Sequence, residues 1–270
     1  MRPKLPFIEF CGLPGSGKTA LYRALSANLH HVSESLIDLE TALIRSLRAS
    51  SGARPVSLLA RIVRKGHINS VNSRVLSLHR RSSQGQAAFA SFAADNPAYF
   101  AQVLAAIESG SGSLELKVRL IRHHFKLFGA YQSAMGALRQ GELLVLEEGF
   151  CQRLIPCATE AGGPGAPSLT DCIAAMPRAS GVVVVRANEE TCLQRLRERG
   201  WPGFLAGRGP AEREAWLRSA ALGLARIVAE LGKAGFSVTE VSNEGPLEMA
   251  EHELETAIKS FLEDAGCATR

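Results

Sequence analysis

Residues 12–19 carry the clearest chemistry in this sequence, because they match the pattern Gly-x-x-x-x-Gly-Lys-[Ser/Thr] at every fixed position. Glycines let backbone N–H groups turn inward and surround phosphate oxygens. The Lys18 ammonium can bridge the β- and γ-phosphates of a nucleotide, and the Thr19 hydroxyl can ligate Mg²⁺. The residues expected to bind the nucleotide are Gly12, Pro14, Gly15, Ser16, Gly17, Lys18 and Thr19.

Two secondary-structure elements must hold this loop in place. A β-prone run, residues 7–11, precedes it, and residues 18–28 have the composition of a helix. A helix that begins at Lys18 directs free N–H groups and the positive end of its dipole at bound phosphates. The order of strand, glycine-rich turn and helix therefore predicts a phosphate site.

Other apolar runs predict further strands of the same sheet. Residues 143–146, 182–185 and 236–241 form three such runs, and residues 29–34 are expected to form a short second strand. Continuous apolar runs are typical of parallel strands that helices cover on both faces. The stretches between them are rich in Ala, Leu and Arg with helical spacing. We therefore predict an α/β fold, a three-layer α/β/α core with a mostly parallel sheet of about five strands.

A phosphate-binding loop of this kind needs a carboxylate at the end of a nearby strand to hold Mg²⁺ or its waters. Glu147 and Glu148 directly follow the run 143–146, and Gly149, Phe150 and Arg153 come next. Here the sequence resembles the P-loop kinase superfamily, above all its nucleoside and nucleotide kinases. In these proteins an apolar strand ends in an acidic residue and often continues with Gly-Phe and a nearby Arg. This chain has Glu where Asp is usual, which leaves open which carboxylate faces the metal.

The resemblance implies a single P-loop NTPase core over residues 1–270, ATP and Mg²⁺ as cofactors, and phosphoryl transfer as the reaction. We assign Glu147 with Thr19 to the metal and Glu148 with Lys18 to catalysis, the reverse assignment of the two glutamates remaining open. The resemblance covers most of the chain outside residues 36–140.

The resemblance also implies a lid that contains arginines, over residues 187–213. Arg195 and Arg199 are four residues apart, so both can point from one helix face at a phosphate chain. The family usually has one more Arg, and this chain has Trp201 in its place. The missing charge can come from Arg208 or Arg213.

A base for the acceptor is expected near the end of the second strand, since several nucleoside kinases place a carboxylate there. Glu34 is the candidate in this sequence. A positioned carboxylate can orient and deprotonate an attacking hydroxyl. Glu34 can equally be an acid at a helix N-terminus beside Ser33 and Ser35. Glu148 is an alternative base.

Residues 36–140 are predicted to form a large helical insertion, which in the family binds the phosphate acceptor. Residues 1–140 contain 18 basic and 7 acidic residues, a net charge of +11, although the whole chain carries only +5. Residues 41–94 contain no acidic residue. Nine basic residues lie in that stretch, namely Arg45, Arg48, Arg54, Arg61, Arg64, Lys65, Arg74, Arg80 and Arg81. Such an excess favours an anionic acceptor, with nucleic acid as a less favoured partner.

Composition excludes several classes of protein. The chain has 270 residues of which 46% are hydrophobic, which is too apolar for a disordered chain of this length. No apolar run approaches the roughly 18 residues of a membrane span. The start of the sequence does not resemble a signal peptide, and the six cysteines include no Cys-x-x-Cys pair. We expect a cytoplasmic protein that does not contact a membrane, and leave a homodimer open.

The predicted function is transfer of the ATP γ-phosphate to a small molecule, first of all a nucleoside or nucleotide. Alternatives are a kinase of a nucleic-acid end, a sugar or an antibiotic hydroxyl, and an ATPase that couples hydrolysis to a partner. A GTPase is disfavoured, because residues 186–189 read Arg-Ala-Asn-Glu where a guanine-reading Asn-Lys-x-Asp motif would be expected.

Overall fold

The computed structural model describes residues 4–50, 79, 82–160 and 167–266 of the chain. The strands in these residues are β1 (Leu5–Gly12), β2 (Leu36–Asp38), β3 (Leu143–Leu146), β4 (Ala179–Arg186) and β5 (Val238–Ser242). The helices are α1 (Lys18–Ala27), α2 (Leu29–Val32), α3 (Leu39–Ser50), α4 (Ser83–Asp95), α5 (Pro97–Ser109), α6 (Leu114–Met135), α7 (Phe150–Glu160), α8 (Leu169–Ala175), α9 (Glu189–Arg199), α10 (Pro210–Lys233) and α11 (Leu247–Asp264).

The strands form one open sheet in the order β2-β3-β1-β4-β5, and every neighbouring pair is parallel. The prediction of a mostly parallel sheet of about five strands is confirmed. Because all strands run in the same direction, their carboxyl ends meet at one edge of the sheet. The segments that follow β1, β3, β4 and β5 are therefore neighbours at this edge.

Helices cover both faces of the sheet, because successive strand residues point to opposite sides. On one face, Phe7 of β1 and Leu144 of β3 pack in a core with α4–α10. On the other face, Ile8 of β1 and Val183 of β4 pack against α1 and α11, where Leu254 is buried. The arrangement has the three layers that an α/β/α core requires.

Among the described residues, the second strand was predicted in the wrong place. Residues 29–32 form the short helix α2, and β2 begins only at Leu36. Between them the Ser33 hydroxyl accepts a hydrogen bond from the backbone N–H of Ser35, at 3.1 Å, which closes a turn. Serine side chains that bond to nearby backbone in this way favour turns over strands. The helical insertion predicted for residues 36–140 consequently begins after β2.

An aromatic cluster fixes α6 beside the sheet. Phe128 of α6 stacks on Phe92 of α4, with ring centroids 4.3 Å apart, and Tyr131 packs edge-on against Phe150 at 4.9 Å. Phe92 and Phe150 also stack on each other at 5.8 Å. Phe150 is the first residue of α7, so the cluster joins α6 to the segment that follows β3. Such aromatic pairs contribute beyond the area that they bury.

The cysteines in the described part of the chain are free thiols buried in the core: Cys11, Cys151, Cys157, Cys172 and Cys192. Burial raises the pKa of Cys157 to about 12 and those of Cys172 and Cys192 to about 11, so these thiols stay protonated at neutral pH. Among the described helices, none combines the length and the hydropathy needed to cross a bilayer.

Candidate functional site

The segment Gly12–Thr19, hereafter the glycine loop, joins the end of β1 to the start of α1. Gly15 and Gly17 have φ of 91° and 88°, a region that residues with a side chain rarely adopt. A Cβ on Gly12 would lie 2.7 Å from the Val185 carbonyl oxygen, and one on Gly15 would lie 2.5 Å from that of Cys192. The loop therefore needs glycine at these positions because of its conformation and its tight packing on β4 and α9.

The outer side of the glycine loop is held by two side chains from other elements. The Arg195 guanidinium donates to the carbonyl oxygens of Gly15 and Ser16, both at 3.3 Å, and to that of Asn243 at 2.9 Å. The Asn243 amide donates to the Ser16 carbonyl oxygen at 2.7 Å. These bonds occupy carbonyl groups of the loop from outside, and the Ser16 N–H donates within the loop to the Leu13 carbonyl oxygen at 3.1 Å.

The first turn of α1 is open to an anion. Its N-cap is Gly17, no side chain caps the turn, and the turn contains no acidic residue. Helix N-termini of this kind attract anions through free N–H groups and the helix dipole. Lys18 lies in this turn and is only 7% exposed, and the Ser16 hydroxyl is buried without a hydrogen-bond partner in the described residues.

Glu148 is the strand-end carboxylate that faces the glycine loop. Its Oε1 lies 3.6 Å from Lys18 Nζ, and its Oε2 lies 2.7 Å from Arg153 Nη2. Burial alone would raise the pKa of Glu148, but Arg153 and Lys18 outweigh it and hold that pKa below the ordinary value. Glu148 is therefore ionised throughout the neutral pH range.

Glu147 points elsewhere. It is absent from the lining of the cavity beside the glycine loop, and its charge acts on the Tyr22 hydroxyl of α1 together with that of Asp38. Of the two neighbouring glutamates, the structure brings Glu148 to Lys18, and Glu148 lines the same cavity as Thr19. The assignment of Glu147 to a metal site therefore has no geometric support, whereas Glu148 is well placed for that role.

The predicted lid arginines lie in different environments. Arg199 lines the cavity, whereas Arg195 lies outside the lining and donates hydrogen bonds to backbone carbonyl oxygens of the glycine loop. Arg213 donates to the Leu205 carbonyl oxygen at 3.0 Å and lies over the Trp201 ring, so it holds the loop between α9 and α10. Neither Arg208 nor Arg213 lines the cavity. Only Arg199 is thus placed to meet a phosphate directly.

Glu34 lies at the wrong edge of the sheet for a base. It is in the turn before β2, and the neighbouring Ser35 carbonyl accepts a hydrogen bond from Leu143 N at 2.8 Å, where β3 begins. The glycine loop follows the carboxyl end of β1, at the opposite edge. The acid at the carboxyl end of β2 is Asp38, which accepts a hydrogen bond from Thr41 N at 2.6 Å and so caps α3.

Two residues that support the site were missed by sequence reasoning. Gln152 of α7 accepts a hydrogen bond from Gly12 N at 2.9 Å, which joins α7 to the glycine loop. Glu9, in the middle of β1, is fully buried and accepts hydrogen bonds from the Cys151 N–H at 3.0 Å and the Cys151 thiol at 2.9 Å. A single acid within an apolar strand was the available signal for Glu9.

The pKa of Glu9 is raised to about 7, mainly by burial, although the hydrogen bonds from Cys151 and the Phe150 backbone act against that rise. The same carboxyl lies below the turn that connects Glu148 to α7. A Cβ on Gly149 would fall 2.0 Å from Glu9 Oε2, so that turn has no room for a side chain. Glu9 therefore fixes the start of α7, which carries Gln152 and Arg153.

These elements enclose a cavity of about 690 Å³. The glycine loop, with Lys18 and Thr19, forms one wall, and residues of α6 form another. The charged residues that line it are Lys18, Glu115, Arg119, Arg122, Lys126, Glu148, Arg153 and Arg199. A cavity of this size can hold a drug-sized ligand or more.

The residues present fit a nucleotide phosphate chain with Mg²⁺. The glycine loop has no room for a Cβ at Gly12, Gly15 or Gly17, no side chain caps the first turn of α1, and the Ser16 hydroxyl has no hydrogen-bond partner among the described residues. In the described part of the chain, no three His, Cys, Asp or Glu side chains are grouped to hold a metal by themselves. A Mg²⁺ held mainly by phosphate oxygens and waters, with Thr19 and Glu148, does not need such a group.

Comparisons with known proteins assign no family to the chain. No protein-family model matches it, and none of the curated proteins matches it at a significant level.

Proposed function

We propose that this chain is an ATP- and Mg²⁺-dependent phosphotransferase of the P-loop kinase type, which moves the γ-phosphoryl group of ATP to a small molecule such as a nucleoside or nucleotide. One observation carries the proposal. Lys18 is buried in the first turn of α1, with Glu148 3.6 Å from its ammonium, and both line a cavity of about 690 Å³. This is the arrangement of cation, strand-end acid and anion-binding helix start that phosphoryl transfer requires.

In the proposed site the glycine loop binds the phosphate chain of ATP. The N–H groups at the uncapped start of α1 and the Lys18 ammonium contact the β- and γ-phosphates. Arg199, the last residue of α9 in the lid, neutralises charge on the transferred group. Arg195 keeps the loop in shape through its carbonyl groups, so its effect on the reaction is indirect.

Thr19 and Glu148 would hold Mg²⁺ and its waters, and the bound ion would neutralise charge on the β- and γ-phosphates. The low pKa of Glu148 suits this role, since a metal ligand must stay ionised. Before ATP binds, Glu148 pairs with Lys18 and Arg153, which keeps both cations in the cavity.

The proposed transfer breaks one bond of ATP and forms one bond to the acceptor. The bond from the γ-phosphorus to the β–γ bridging oxygen breaks, and its electron pair stays on that oxygen, so that ADP leaves. An oxygen atom of the acceptor forms the new bond to the γ-phosphorus. Catalysis then depends on the alignment of the two substrates and on cations placed around the transferred group.

The test is an ADP-release assay with ATP·Mg²⁺ and a panel of nucleosides, nucleotides, sugars, antibiotics and oligonucleotides. We expect Lys18→Ala to lower kcat by about 1000-fold or more, because it removes a charge that contacts the transferred group. Lys259→Ala, which alters an exposed lysine of α11, is the matched control and should leave kcat unchanged.

Circular dichroism and urea unfolding check that the Lys18→Ala protein is folded. Full activity in that folded variant overturns the proposal. ADP release that needs no acceptor indicates an ATPase. Preference for oligonucleotides, with affinity that falls steeply as salt rises, indicates a kinase of nucleic-acid ends.

A further inference from the structure

Two exposed aliphatic side chains lie on the first two turns of α6. Leu114 is 77% exposed and Val118 is 47% exposed, and their spacing of four residues places them on one side of the helix. Leu120 and Leu127, on the opposite side, are buried in the core, so packing fixes which side of α6 faces solvent. A single exposed apolar residue is ordinary, but two neighbours on one helix side form a continuous apolar surface.

The apolar side of α6 continues toward the end of the helix. Phe125 follows Val118 by seven residues on the same side, and it packs on Phe89 of α4 with ring centroids 4.6 Å apart. These two rings line a second cavity, of about 290 Å³, whose lining also includes Arg122. Apolar groups therefore run along this side of α6 from Leu114 to Phe125, with an arginine beside them.

Positive charge accompanies these apolar groups. Arg122 is exposed and makes no ion pair or hydrogen bond within the part of the chain that the structure describes. Helix α6 has four basic residues, and its one acidic residue, Glu115, pairs with Arg119 at 3.0 Å. The excess extends along the sequence, because residues 41–140 contain 14 basic and only 3 acidic residues. A surface with this charge attracts polyanions.

The combination of aliphatic and basic side chains favours an anionic lipid bilayer over nucleic acid. The phosphates of either partner can pair with Arg122. Only a bilayer offers acyl chains among which Leu114 and Val118 can be buried. Segments that lie at a membrane interface have this pattern, with aliphatic groups toward the acyl chains and Lys or Arg toward the headgroups.

We propose that this side of α6 docks on the surface of a membrane that contains anionic lipids. Leu114 and Val118 enter the boundary between headgroups and acyl chains, and Arg122 pairs with lipid phosphates. Because Val118 and Arg122 also line the cavity beside the glycine loop, docking brings that cavity to the membrane surface.

Docking of this kind differs from the membrane contact that the sequence disfavours. The lack of an apolar run of spanning length excludes a transmembrane helix, but it does not bear on a helix that lies on the membrane surface. The docking surface also does not depend on the proposed phosphotransferase function, because lipid binding can be measured without ATP or an acceptor.

The test is co-sedimentation of the full chain with two kinds of vesicle, phosphatidylcholine alone and phosphatidylcholine with about one quarter of anionic phosphatidylglycerol. We expect binding to the anionic vesicles that weakens as salt is raised from about 50 to about 500 mM, because salt screens the charges. Lys18→Ala should bind as the wild type does, since docking does not use the nucleotide site.

Two single substitutions separate the apolar and the charged contributions. Leu114→Ser should lower the vesicle partition constant about 5-fold, because it removes an apolar group from the interface. Its matched control is Leu222→Ser, at a 69% exposed leucine of α10, which should bind as the wild type does. Arg122→Gln should also lower the partition constant about 5-fold, and Arg218→Gln, at an exposed site on α10, should leave it unchanged.

Circular dichroism and urea unfolding check that each variant is folded. The inference is overturned by no binding to anionic vesicles, by equal binding with and without phosphatidylglycerol, or by unchanged binding in either Leu114→Ser or Arg122→Gln. An equal loss in Leu222→Ser also overturns it. Binding of a DNA oligonucleotide that weakens in Arg122→Gln but not in Leu114→Ser, without vesicle binding, assigns the surface to nucleic acid instead. None of these outcomes bears on Lys18-dependent ADP release, so the two proposals fail separately.

Discussion

The two walls of the cavity differ in how their polar groups are used. On the glycine-loop wall, Arg195 and Asn243 bond to the loop's carbonyl groups, and Gln152 bonds to Gly12 N, so the loop is fixed by the protein alone. On the α6 wall, Arg122 has no such partner within the described residues. A wall that is already ordered costs little conformational entropy when a ligand binds, whereas a long side chain such as that of Arg122 loses rotamer freedom when a ligand holds it.

If the proposed function is correct, this difference bears on how a substrate is recognised at each wall. In the proposed phosphotransferase, the glycine loop selects a phosphate chain by shape, because backbone N–H groups and the Lys18 ammonium are held in a fixed arrangement. The arginine and lysine side chains that extend from α6 can instead adapt to the position of an anion. The following predictions test this comparison, starting with the largest expected effect.

Gly17→Ala should distort the backbone of the glycine loop. Gly17 has φ of 88°, and a Cβ there would lie 1.9 Å from Asn243 Nδ2, so the bond from Asn243 to the Ser16 carbonyl cannot persist. We expect phosphoryl transfer to fall by about 1000-fold, an effect comparable to the loss of several aligned donors. Measured kcat/KM for ATP checks this.

Gly141→Ala is the matched control for that substitution. Gly141 has φ of 82°, but a Cβ there would meet no atom within 4 Å. The Gly141→Ala protein should lose about 1–2 kcal/mol of unfolding free energy through backbone strain and keep full activity. Equal loss of activity in both variants would show that the positive φ is responsible, and not the packing against Asn243.

Glu148→Gln should lower kcat by about 100-fold, because it removes the charge that Lys18 and Arg153 contact while keeping the size of the side chain. Glu147→Gln should have a much smaller effect, since Glu147 is outside the cavity. Steady-state kinetics at saturating Mg²⁺ compare the two variants. A larger loss in Glu147→Gln would reverse the assignment.

Glu9→Gln should change how stability depends on pH. The pKa of Glu9 is about 7 in the folded chain and 4.5 ordinarily, so its contribution to stability is complete below about pH 4.5 and is lost as pH rises through 7. Unfolding free energy should therefore decrease in the wild type relative to Glu9→Gln between those values, by at most roughly 3 kcal/mol. Urea unfolding at pH 5 and pH 8 measures the difference, and parallel pH profiles would contradict it.

Much of the fold could be predicted because its signals are local. The run 143–146 and the helix beginning at Lys18 are where the sequence places them, since continuous apolar residues mark buried strands and the glycine loop marks the helix start. The second strand was misplaced because a side-chain turn at Ser33 delays it to Leu36. The turn involves only a few residues, and at those residues it forms in place of a strand.

The site was predicted less completely because its remaining parts depend on which way a side chain points. The spacing of Arg195 and Arg199 places both on one helix face, yet of these two only Arg199 lines the cavity. Arg195 instead donates hydrogen bonds to carbonyl oxygens of the glycine loop. Seven of the nine basic residues expected in residues 41–94 lie outside the described residues. Arg45, one of the other two, pairs with Glu142 at 2.7 Å just before β3, away from the cavity. Arg119, Arg122 and Lys126 of α6 line the cavity but lie outside that stretch, and they were not predicted as site residues.

The buried thiols give the molecule internal reporters of local opening. Cys192 lies against Gly15 at the base of the glycine loop, and Cys151 lies on Glu9 below the turn at Gly149. Since burial and a raised pKa suppress their reaction with maleimides, each thiol is labelled only when its surroundings open. In a Cys267→Ser background, site-resolved labelling rates would show separately how far each ligand closes the loop side and the α7 side of the cavity.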